Sequence, residues 1–355
     1  MATYAKSHCR MNRQHILVIR LSALGDVAMT IPAIYSVARA YPWCTFHMLT
    51  SEWCGHLFIY APTNVTIHSL PTPDLHGVRT TLRLLTFVRR IPTDVVADLH
   101  CVLRSWIVDA FCLLRGKNVA VLDKYRLERR AILNQHQCAS QSYVSRYFEV
   151  FARLGFHCEQ SFTSLFSNAL PVLPDGFPKY QRRTWVGIAP FARYKNKTYP
   201  IQQMRTVAEH LATEGDKEIF LFGSKGKETE LLSSWCKYSP HIHCLAGQFT
   251  LSEELALMAH LDVMVAMDSA NMHLASLVGV RVISIWGSTT PACGFMGWQQ
   301  RDTDAVVAGL PCQPCTIAGS EHCSRGDFLC LTSLSPICLL NKIKSTIKQQ
   351  RKQAR

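Results

Sequence analysis

Acidic residues are scarce in this sequence of 355 residues. Asp and Glu number 25 against 38 Lys and Arg, so the formal net charge is +13. This surplus of positive charge favours anionic partners: nucleotides, nucleic acid or a membrane surface. Charged residues make up 18% of the chain and hydrophobic residues 48%, which is typical of a globular protein and excludes a disordered one.

Long hydrophobic runs are also absent. No stretch approaches the roughly 18 uncharged apolar residues that a membrane-spanning helix requires. The N-terminal region has no apolar block of signal-peptide length, because Arg20 interrupts the first one. We therefore expect a cytoplasmic protein.

Several ligand-binding signatures are missing as well. The first strand-to-helix turn, "RLSALGD", lacks the second and third glycines of G-x-G-x-x-G, which excludes the NAD fingerprint. No helix-turn-helix or RNA-binding signature occurs, and aromatic residues are not interleaved with the basic ones, so we expect no nucleic-acid partner. The chain contains no internal repeat and no low-complexity tract.

Cysteine, in contrast, is abundant, with 15 residues. The count is odd, and many of these cysteines stand singly inside apolar segments. This pattern indicates small buried hydrophobic side chains in a reducing compartment. Examples are Cys44, Cys101, Cys112 and Cys244.

Short apolar runs alternate with longer amphipathic ones throughout the chain. Because the short runs are apolar on both faces, they predict parallel sheets covered by helices on both sides. Strands are predicted at 15–21, 45–50, 65–70, 94–99 and 118–123, and again at 184–190, 218–223, 241–247, 262–267 and 281–287. Helices are predicted at 26–41, 77–90 and 105–115, and later at 201–214, 226–237, 251–260 and 271–279.

The pattern restarts after a Pro-rich passage, 168–183, which predicts two domains joined near residue 175. We predict an α/β fold of two Rossmann-like domains with parallel sheets that face each other across a central cleft. Their expected limits are 1–175 and 184–334, followed by a basic C-terminal helix or tail at 335–355. Sheets of this kind bind ligands beyond the carboxyl ends of their strands.

One strand-to-helix junction has the composition of an anion site. Asp268 ends a buried strand, and Ser269, Ala270 and Asn271 present successive backbone N–H groups at a helix start. His273 lies in the first turn of that helix and can donate to a phosphate. An Asp beside a phosphate repels it, so Asp268 is expected to orient donors or to contact a sugar.

Three other strand ends carry candidate residues. Asp26 follows the first strand, where a helix-capping role alone is favoured. In "GIAPFARYKNKTYP", Lys195 and Lys197 lie where a cation can neutralise a diphosphate, or else form a solvated loop. In "FLFGSKGKETE", Glu228 can accept hydrogen bonds from a ribose diol, or simply suit the helix dipole.

Taken in order, these motifs resemble glycosyltransferase family 9, the ADP-heptose–lipopolysaccharide heptosyltransferases, which are GT-B enzymes. The matching segments cover residues 15–340. They are "RLSALGDVAMTIPAI", "APFARYKNKTYP", "FGSKGKE", "MDSANMHLASLVGVRVISIWGSTTP" and a cysteine-bearing tail. The chain departs from the family in having Ala270 where many members have Gly, and Tyr199 as the aromatic residue of the K-x-W-P element.

The resemblance implies an inverting, metal-independent transfer without a cofactor. It implies that Asp26 is the general base and that Lys197 stabilises the diphosphate. Glu228 would contact the ribose, while the 268–273 junction would hold phosphate and sugar. The expected substrates are ADP-heptose and a lipopolysaccharide core or other glycolipid. We expect the enzyme at the anionic inner face of the inner membrane. Open alternatives are another nucleotide-sugar donor, a nucleotide-sugar epimerase, or a binding-only relative.

Three further features compete for a functional interpretation. Cys312, Cys315, Cys323 and Cys330 are the ligand type of a structural zinc site, but only the first pair has the two-residue spacing of a zinc knuckle. Packing thiols or a disulfide are favoured, and no metal is expected. Asp302-x-Asp304 is expected to be a solvated turn. The basic residues from Lys342 to Arg355 suit a solvated helix end or a contact with anionic lipid.

Overall fold

The structure is a computed structural model that describes residues 13–71, 78–135, 137–175, 177 and 183–353. The chain divides into two compact units. The first holds residues up to 124 together with 143–162, and the second holds 125–142 together with 163 onward. The chain therefore leaves the first unit for the last time at residue 162, earlier than the junction expected near residue 175. The Pro-rich passage expected at that junction lies partly outside the described residues.

The first unit is built on a five-stranded parallel sheet. Its strand order is β3-β2-β1-β4-β5, with β1 (His15–Ile19), β2 (Thr45–Ser51), β3 (Val65–Leu70), β4 (Val95–Asp98) and β5 (Asn118–Val121). Its helices are α1 (Leu24–Ala40), α2 (Glu52–Gly55), α3 (Val78–Val88), α4 (Leu103–Leu114) and α6 (Tyr143–Arg153), whereas α5 (Arg126–Gln135) belongs to the second unit.

Helices cover both faces of this sheet, which explains why its strands are apolar on both sides. On one face, Leu17 and Ile19 of β1 join a buried cluster with Val88 of α3 and Val108 of α4. On the other face, the ring of Phe46 packs edge-on against a ring of α6, and most of α1 is buried. The carboxyl ends of β1 and β4 are neighbours in the sheet, so the residues that follow them share one edge.

The second unit is built on a six-stranded parallel sheet. Its strand order is β11-β10-β9-β6-β7-β8, with β6 (Thr184–Ala189), β7 (Lys217–Leu221), β8 (Ile242–Cys244), β9 (Val263–Met267), β10 (Val282–Trp286) and β11 (Ala305–Val307). Its remaining helices are α7 (Ile201–Thr213), α8 (Lys227–Trp235), α9 (Leu251–Ala259), α10 (Ala270–Leu277), α11 (Leu329–Thr332) and α12 (Pro336–Gln353). The adjacent strands β6, β9 and β10 bring three strand ends to one edge.

The segment 125–142 packs with the second unit although it precedes the end of the first in the chain. The amide of Ala139 donates to the carbonyl of Ala292 at 2.7 Å. None of the described helices combines the length and the apolar character needed to cross a bilayer.

The C-terminal helix is an integral part of the second unit. Leu339, Ile343 and Ile347 of α12 are buried in the core of that unit. Two of its basic side chains are paired within the unit: Lys344 with Glu214, and Lys342 with Asp304. An apolar stripe therefore docks the helix, while Lys344, Lys348, Arg351 and Lys352 are exposed, as expected of a solvated basic helix end. Arg355 lies outside the described residues.

The Asp302-x-Asp304 segment, expected to be a solvated turn, is solvated only in part, because Asp302 is exposed and Asp304 is not. Asp304 is fully buried and receives two hydrogen bonds from Arg281, at 2.6 and 2.9 Å. Burial alone would raise the pKa of Asp304, but hydrogen bonds from Arg281 and Lys342 hold it below its usual value. This carboxylate therefore serves as a structural anchor between β11 and its neighbours.

Candidate active site

A buried ion pair joins two strand ends of the second unit. Lys197 lies in a short 3₁₀ helix, Lys195–Lys197, that follows β6, and Asp268 directly follows β9. The Nζ atom of Lys197 lies 2.8 Å from Oδ2 of Asp268, and only 13% and 5% of these side chains are exposed. Thr289, which follows β10, donates its hydroxyl to the same carboxylate oxygen at 2.5 Å. Three adjacent strands thus contribute one side chain each.

This arrangement resolves the difficulty of an Asp beside an anion site. The Lys197 ammonium neutralises the Asp268 carboxylate, so the pair as a whole does not repel a phosphate. An ammonium has three N–H donors, and Asp268 accepts only one of them. The pair therefore holds a cation in a fixed position near the start of α10, where it can also meet an anionic ligand.

The start of α10 has the features expected of an anion seat. Ser269 is the N-cap residue, but its side chain does not cap the helix, and its buried hydroxyl oxygen has no hydrogen-bond partner among the residues that the structure describes. The first N–H groups of an α-helix have no intrahelical acceptor. Ala270 and Asn271 are half-buried, and His273 is buried in the first turn. These residues lie together as expected, directly beside Asp268.

The turn between β7 and α8 holds Glu228. Its Oε2 atom accepts a hydrogen bond from the backbone N–H of Ser224 at 2.6 Å. A Cβ atom at Gly223 would lie 3.1 Å from the same oxygen. Glu228 thus closes this turn through Oε2. Its other carboxylate oxygen, Oε1, is the atom that can contact a ligand.

Lys195 is directed away from the Lys197 pair. Its ammonium lies 5.6 Å from the ring centroid of Phe328, in a cation–π contact. The intervening residue, Asn196, is buried and accepts a hydrogen bond at Oδ1 from the N–H of Ser320, at 2.9 Å. Alternate residues of this 3₁₀ helix therefore serve different purposes.

Tyr199 is a packing residue. It is fully buried, its hydroxyl donates to the carbonyl of Leu334 at 2.6 Å, and burial raises its pKa to about 12. Tyr199 stands where the family motif has Trp, and its hydroxyl attaches the C-terminal segment to the rest of the second unit.

In the first unit, Asp26 lies at the third position of α1. It accepts a weak hydrogen bond from the N–H of Ala23 at 3.4 Å, so the capping role is present. In addition, its Oδ2 atom lies 2.7 Å from Nη2 of Arg20, and a third of the Asp26 side chain is exposed. Burial alone would lower the pKa of Arg20, but Tyr147 and Asp26 raise it above its usual value. Arg20 therefore remains a fixed cation beside an accessible carboxylate.

His100 is a neighbour of this pair that sequence reasoning missed. It follows β4, is 7% exposed, and accepts the N–H of Leu21 at Nδ1 at 3.4 Å. Burial and then the charge of Arg20 lower its pKa to about 3, so it is neutral. The sequence did show a His directly after the predicted strand 94–99. It could not show that this strand lies next to β1, because that depends on the order of strands in the sheet.

Comparison with known proteins gives consistent results. A family model described as "Glycosyltransferase family 9 (heptosyltransferase)" matches residues 82–323. The lipopolysaccharide heptosyltransferase 1 of Pseudomonas aeruginosa is 25% identical over 354 residues, covering 90% of this chain and 94% of that protein.

Solved structures share the fold. A glycosyl transferase family 9 protein from Veillonella parvula matches with a TM-score of 0.70 and 16% identity, covering 96% of this chain and 98% of that one. The ADP-heptose lps heptosyltransferase II of E. coli matches with a TM-score of 0.63 and 18% identity, covering 95% and 99%. The predicted α/β architecture with two parallel-sheet domains, the GT-B fold, is confirmed.

Proposed function

The chain belongs to glycosyltransferase family 9 (heptosyltransferase), and from that premise we propose that it transfers a heptose from ADP-heptose to a lipopolysaccharide core acceptor. The chain is accordingly a glycosyltransferase enzyme. The proposal includes transfer with inversion and without a metal ion at the reacting centre. The name of the E. coli relative includes ADP-heptose and lipopolysaccharide, and that of the Pseudomonas aeruginosa relative includes lipopolysaccharide.

The observation that carries the proposal is the Lys197–Asp268 pair beside the start of α10. Transfer from a sugar diphosphate develops negative charge on the departing diphosphate. A cation already held by Asp268 and Thr289 stabilises that charge without having to reorganise, as preorganised electrostatic catalysis requires. The N–H groups of the first turn of α10 and the Ser269 hydroxyl supply further donors to the same phosphates.

We assign the remaining donor contacts to the neighbouring turns. The Oε1 atom of Glu228 is proposed to accept hydrogen bonds from the ribose diol, because Oε2 is engaged by Ser224. His273 and Asn271 are proposed to contact phosphate or sugar from α10. Lys195 is a weaker candidate, since it lies over Phe328.

The proposed chemical step is a single displacement with Asp26 as general base. The acceptor hydroxyl oxygen attacks the anomeric carbon, and its proton passes to the Asp26 carboxylate. The bond between the anomeric carbon and the diphosphate oxygen breaks, and its electron pair leaves with ADP. Arg20 orients Asp26 through the 2.7 Å contact. One displacement at that carbon inverts its configuration.

We further propose that the enzyme works at the inner face of the inner membrane. Its acceptor would be a glycolipid, and Lys348 and Lys352 lie with Arg351 along one basic groove of α12. Basic residues near an anionic surface contribute about 1 kcal/mol each. Vesicle flotation with and without anionic lipid, on the wild type and a Lys348→Glu/Lys352→Glu variant, tests this part separately.

The function is tested by a donor screen followed by product analysis. Calorimetry with ADP-, GDP- and UDP-sugars identifies the nucleotide, and turnover with a truncated glycolipid identifies the acceptor. We expect binding of ADP-heptose and a glycolipid product of opposite anomeric configuration, formed also in the presence of EDTA. Preference for another nucleotide-sugar would contradict the donor assignment. A changed sugar without any acceptor would indicate an epimerase.

A further inference from the structure

Four cysteines of the second unit line one small cavity. Cys312 and Cys315 follow β11, Cys323 lies further along the same segment, and Cys330 lies in α11. The cavity measures about 10 Å³, enough for roughly one water-sized particle. All four cysteines are free, with no disulfide between them. The fold thus brings four cysteines to the wall of one cavity that has room for a single small particle.

Four cysteines around one cavity offer thiolate ligands to a metal ion, which binds thiolates and displaces their protons.

A cross-link would stabilise the segment that carries these cysteines. Residues 308–328 contain neither helix nor strand, and structureless segments longer than about 12–15 residues are uncommon in compact domains. The segment is attached through backbone and side-chain hydrogen bonds at a few points. The N–H of Cys315 donates to the carbonyl of Ser288 at 2.9 Å, and the N–H of Ser320 donates to Asn196.

We propose that Cys312, Cys315, Cys323 and Cys330 bind one Zn²⁺ ion as a structural, tetrahedral site. Four sulfur ligands in tetrahedral geometry are the preference of zinc, at Zn–S distances of about 2.3 Å, and the Cys312-x-x-Cys315 pair has the spacing of a zinc knuckle. As each S–Zn bond forms, an S–H bond breaks and its proton leaves to solvent. No electron changes hands, so the step needs no oxidant.

Binding requires the thiols to move inward. In the described ranges, no three side chains of His, Cys, Asp or Glu already form a metal-coordinating group. Rotation about the Cα–Cβ bonds would bring the sulfur atoms into the cavity that they line. Arg325 borders the same cavity and offsets part of the negative charge of a tetrathiolate centre.

The site would stabilise a segment that packs on Lys197. A Cβ atom at Gly319 would lie 2.5 Å from Cδ of Lys197, and the φ angle of Gly319 is +96°. This close approach requires glycine, and it holds the alkyl chain of Lys197 against the segment. The zinc ion would therefore position that lysine without contacting a substrate. The existence of the metal site itself does not depend on the proposed function.

Metal analysis of the full-length protein tests the proposal directly. Protein purified under reducing conditions is expected to contain about one zinc per chain by mass spectrometry. Replacement by Co²⁺ is expected to produce thiolate-to-metal absorption of a tetrahedral site. Iron in place of zinc, bound by the same cysteines, would support the tetrathiolate site and correct the ion. Absence of both metals and of the cobalt spectrum, or a mass corresponding to disulfides, would overturn it.

Matched cysteine variants assign the ligands. Cys315→Ser and Cys323→Ser are expected to lower zinc affinity at least about tenfold, whereas Cys138→Ser, an exposed cysteine of the same unit, is expected to retain it. Equal zinc in all three would overturn the assignment. Should the Ser variants fail to fold, a chelator added to the wild type must lower its melting temperature. An unchanged melting temperature after metal removal contradicts a structural role.

The two proposals fail in different ways. Full glycosyl transfer by a protein that is purified without metal and takes up neither zinc nor cobalt would refute the zinc site and leave the function intact. Stoichiometric zinc in a protein that transfers no sugar would refute the function and leave the metal site intact. Lys197→Met is expected to retain zinc, because that side chain is not a ligand.

Discussion

Lys197 and Asp268 form an ion pair with an N–O distance of 2.8 Å, although they belong to different strand ends that lie far apart in the chain. The contact exists because β6 and β9 are neighbours in the sheet. Because both side chains are largely buried, water cannot solvate either charge well, and each charge is stabilised by the other.

Replacing Lys197 by Met is therefore expected to affect both catalysis and stability. The rate constant kcat should fall by about 10²–10³, the usual effect of removing one preorganised donor. The free energy of unfolding should fall by about 3 kcal/mol, because Asp268 remains buried without its cation. Steady-state kinetics and urea unfolding measure the two effects.

A double variant separates these two roles of Lys197. Lys197→Met/Asp268→Asn should recover stability, since no buried charge is left uncompensated, but it should not recover turnover. Lys237→Met, an exposed lysine of the same unit, serves as the control and should resemble the wild type. Recovery of turnover in the double variant would show that Lys197 acts only through folding.

Asp26→Asn is expected to lower kcat by about 10²–10⁴, which is the range for loss of a general base. The affinity for the nucleotide, measured by calorimetry, should stay unchanged because the proposed donor seat lies in the second unit. Glu52→Gln, a change of an exposed carboxylate in the first turn of α2, is the matched control. Wild-type turnover in Asp26→Asn would leave Asp26 with its helix-capping role alone.

Gly287→Ala is expected to disturb the proposed donor site by displacing the backbone next to Lys197. The added Cβ atom would lie 2.2 Å from the backbone oxygen of Asn196, so the 3₁₀ helix that carries Lys197 must shift. Overpacking of this kind costs about 1–3 kcal/mol, and nucleotide binding should weaken with it. At Gly215, a Cβ atom meets nothing within 4 Å, so Gly215→Ala should cost stability through its positive φ without changing nucleotide affinity.

A ladder of three histidines is expected to make the first unit acid-sensitive. Nδ1 of His15 lies 3.0 Å from Nε2 of His47, and Nδ1 of His47 lies 3.0 Å from Nε2 of His68. Burial, followed by the charges of His68 and His15, lowers the pKa of His47 to about 4 from 6.5. The unfolded chain therefore gains a proton near pH 6.5, whereas folded His47 stays neutral until about pH 4.

The stability contributed by neutral His47 is thus present above pH 6.5 and is lost as the pH falls towards 4. One pKa unit corresponds to about 1.4 kcal/mol, so a loss of about 1–3 kcal/mol is expected across this interval. Urea unfolding at pH 7 and pH 5 should show a smaller pH dependence for His47→Gln than for the wild type. The exposed His157 gives the control, His157→Gln, which should follow the wild type.

Much of the fold could be predicted because the local pattern was unambiguous. Runs such as 65–70 are bounded by polar or turn residues, and the observed β3 has those limits. The strand β11 was missed because it has three residues at the edge of the sheet, too few for a periodic signal. The predicted helix 251–260 was within one residue because Thr250 and Glu253 form a capping box.

The candidate site could be predicted only in part. The motif at 268–273 was correctly located at a strand-to-helix junction, since the change from apolar run to small residues is local. The pairing of Lys197 with Asp268, the diversion of Lys195 to Phe328, and the proximity of His100 to Arg20 depend on strand order. No single segment of the sequence contains that information.

The division of the chain has a consequence for its synthesis on the ribosome. Helix α6 completes the first unit, but residues 125–142, which emerge before it, belong to the second. On the ribosome, residues 125–142 therefore emerge before the sheet of the unit to which they belong has been translated. Neither unit can be expressed as one uninterrupted fragment, and a truncation at residue 124 would omit α6 from the first unit.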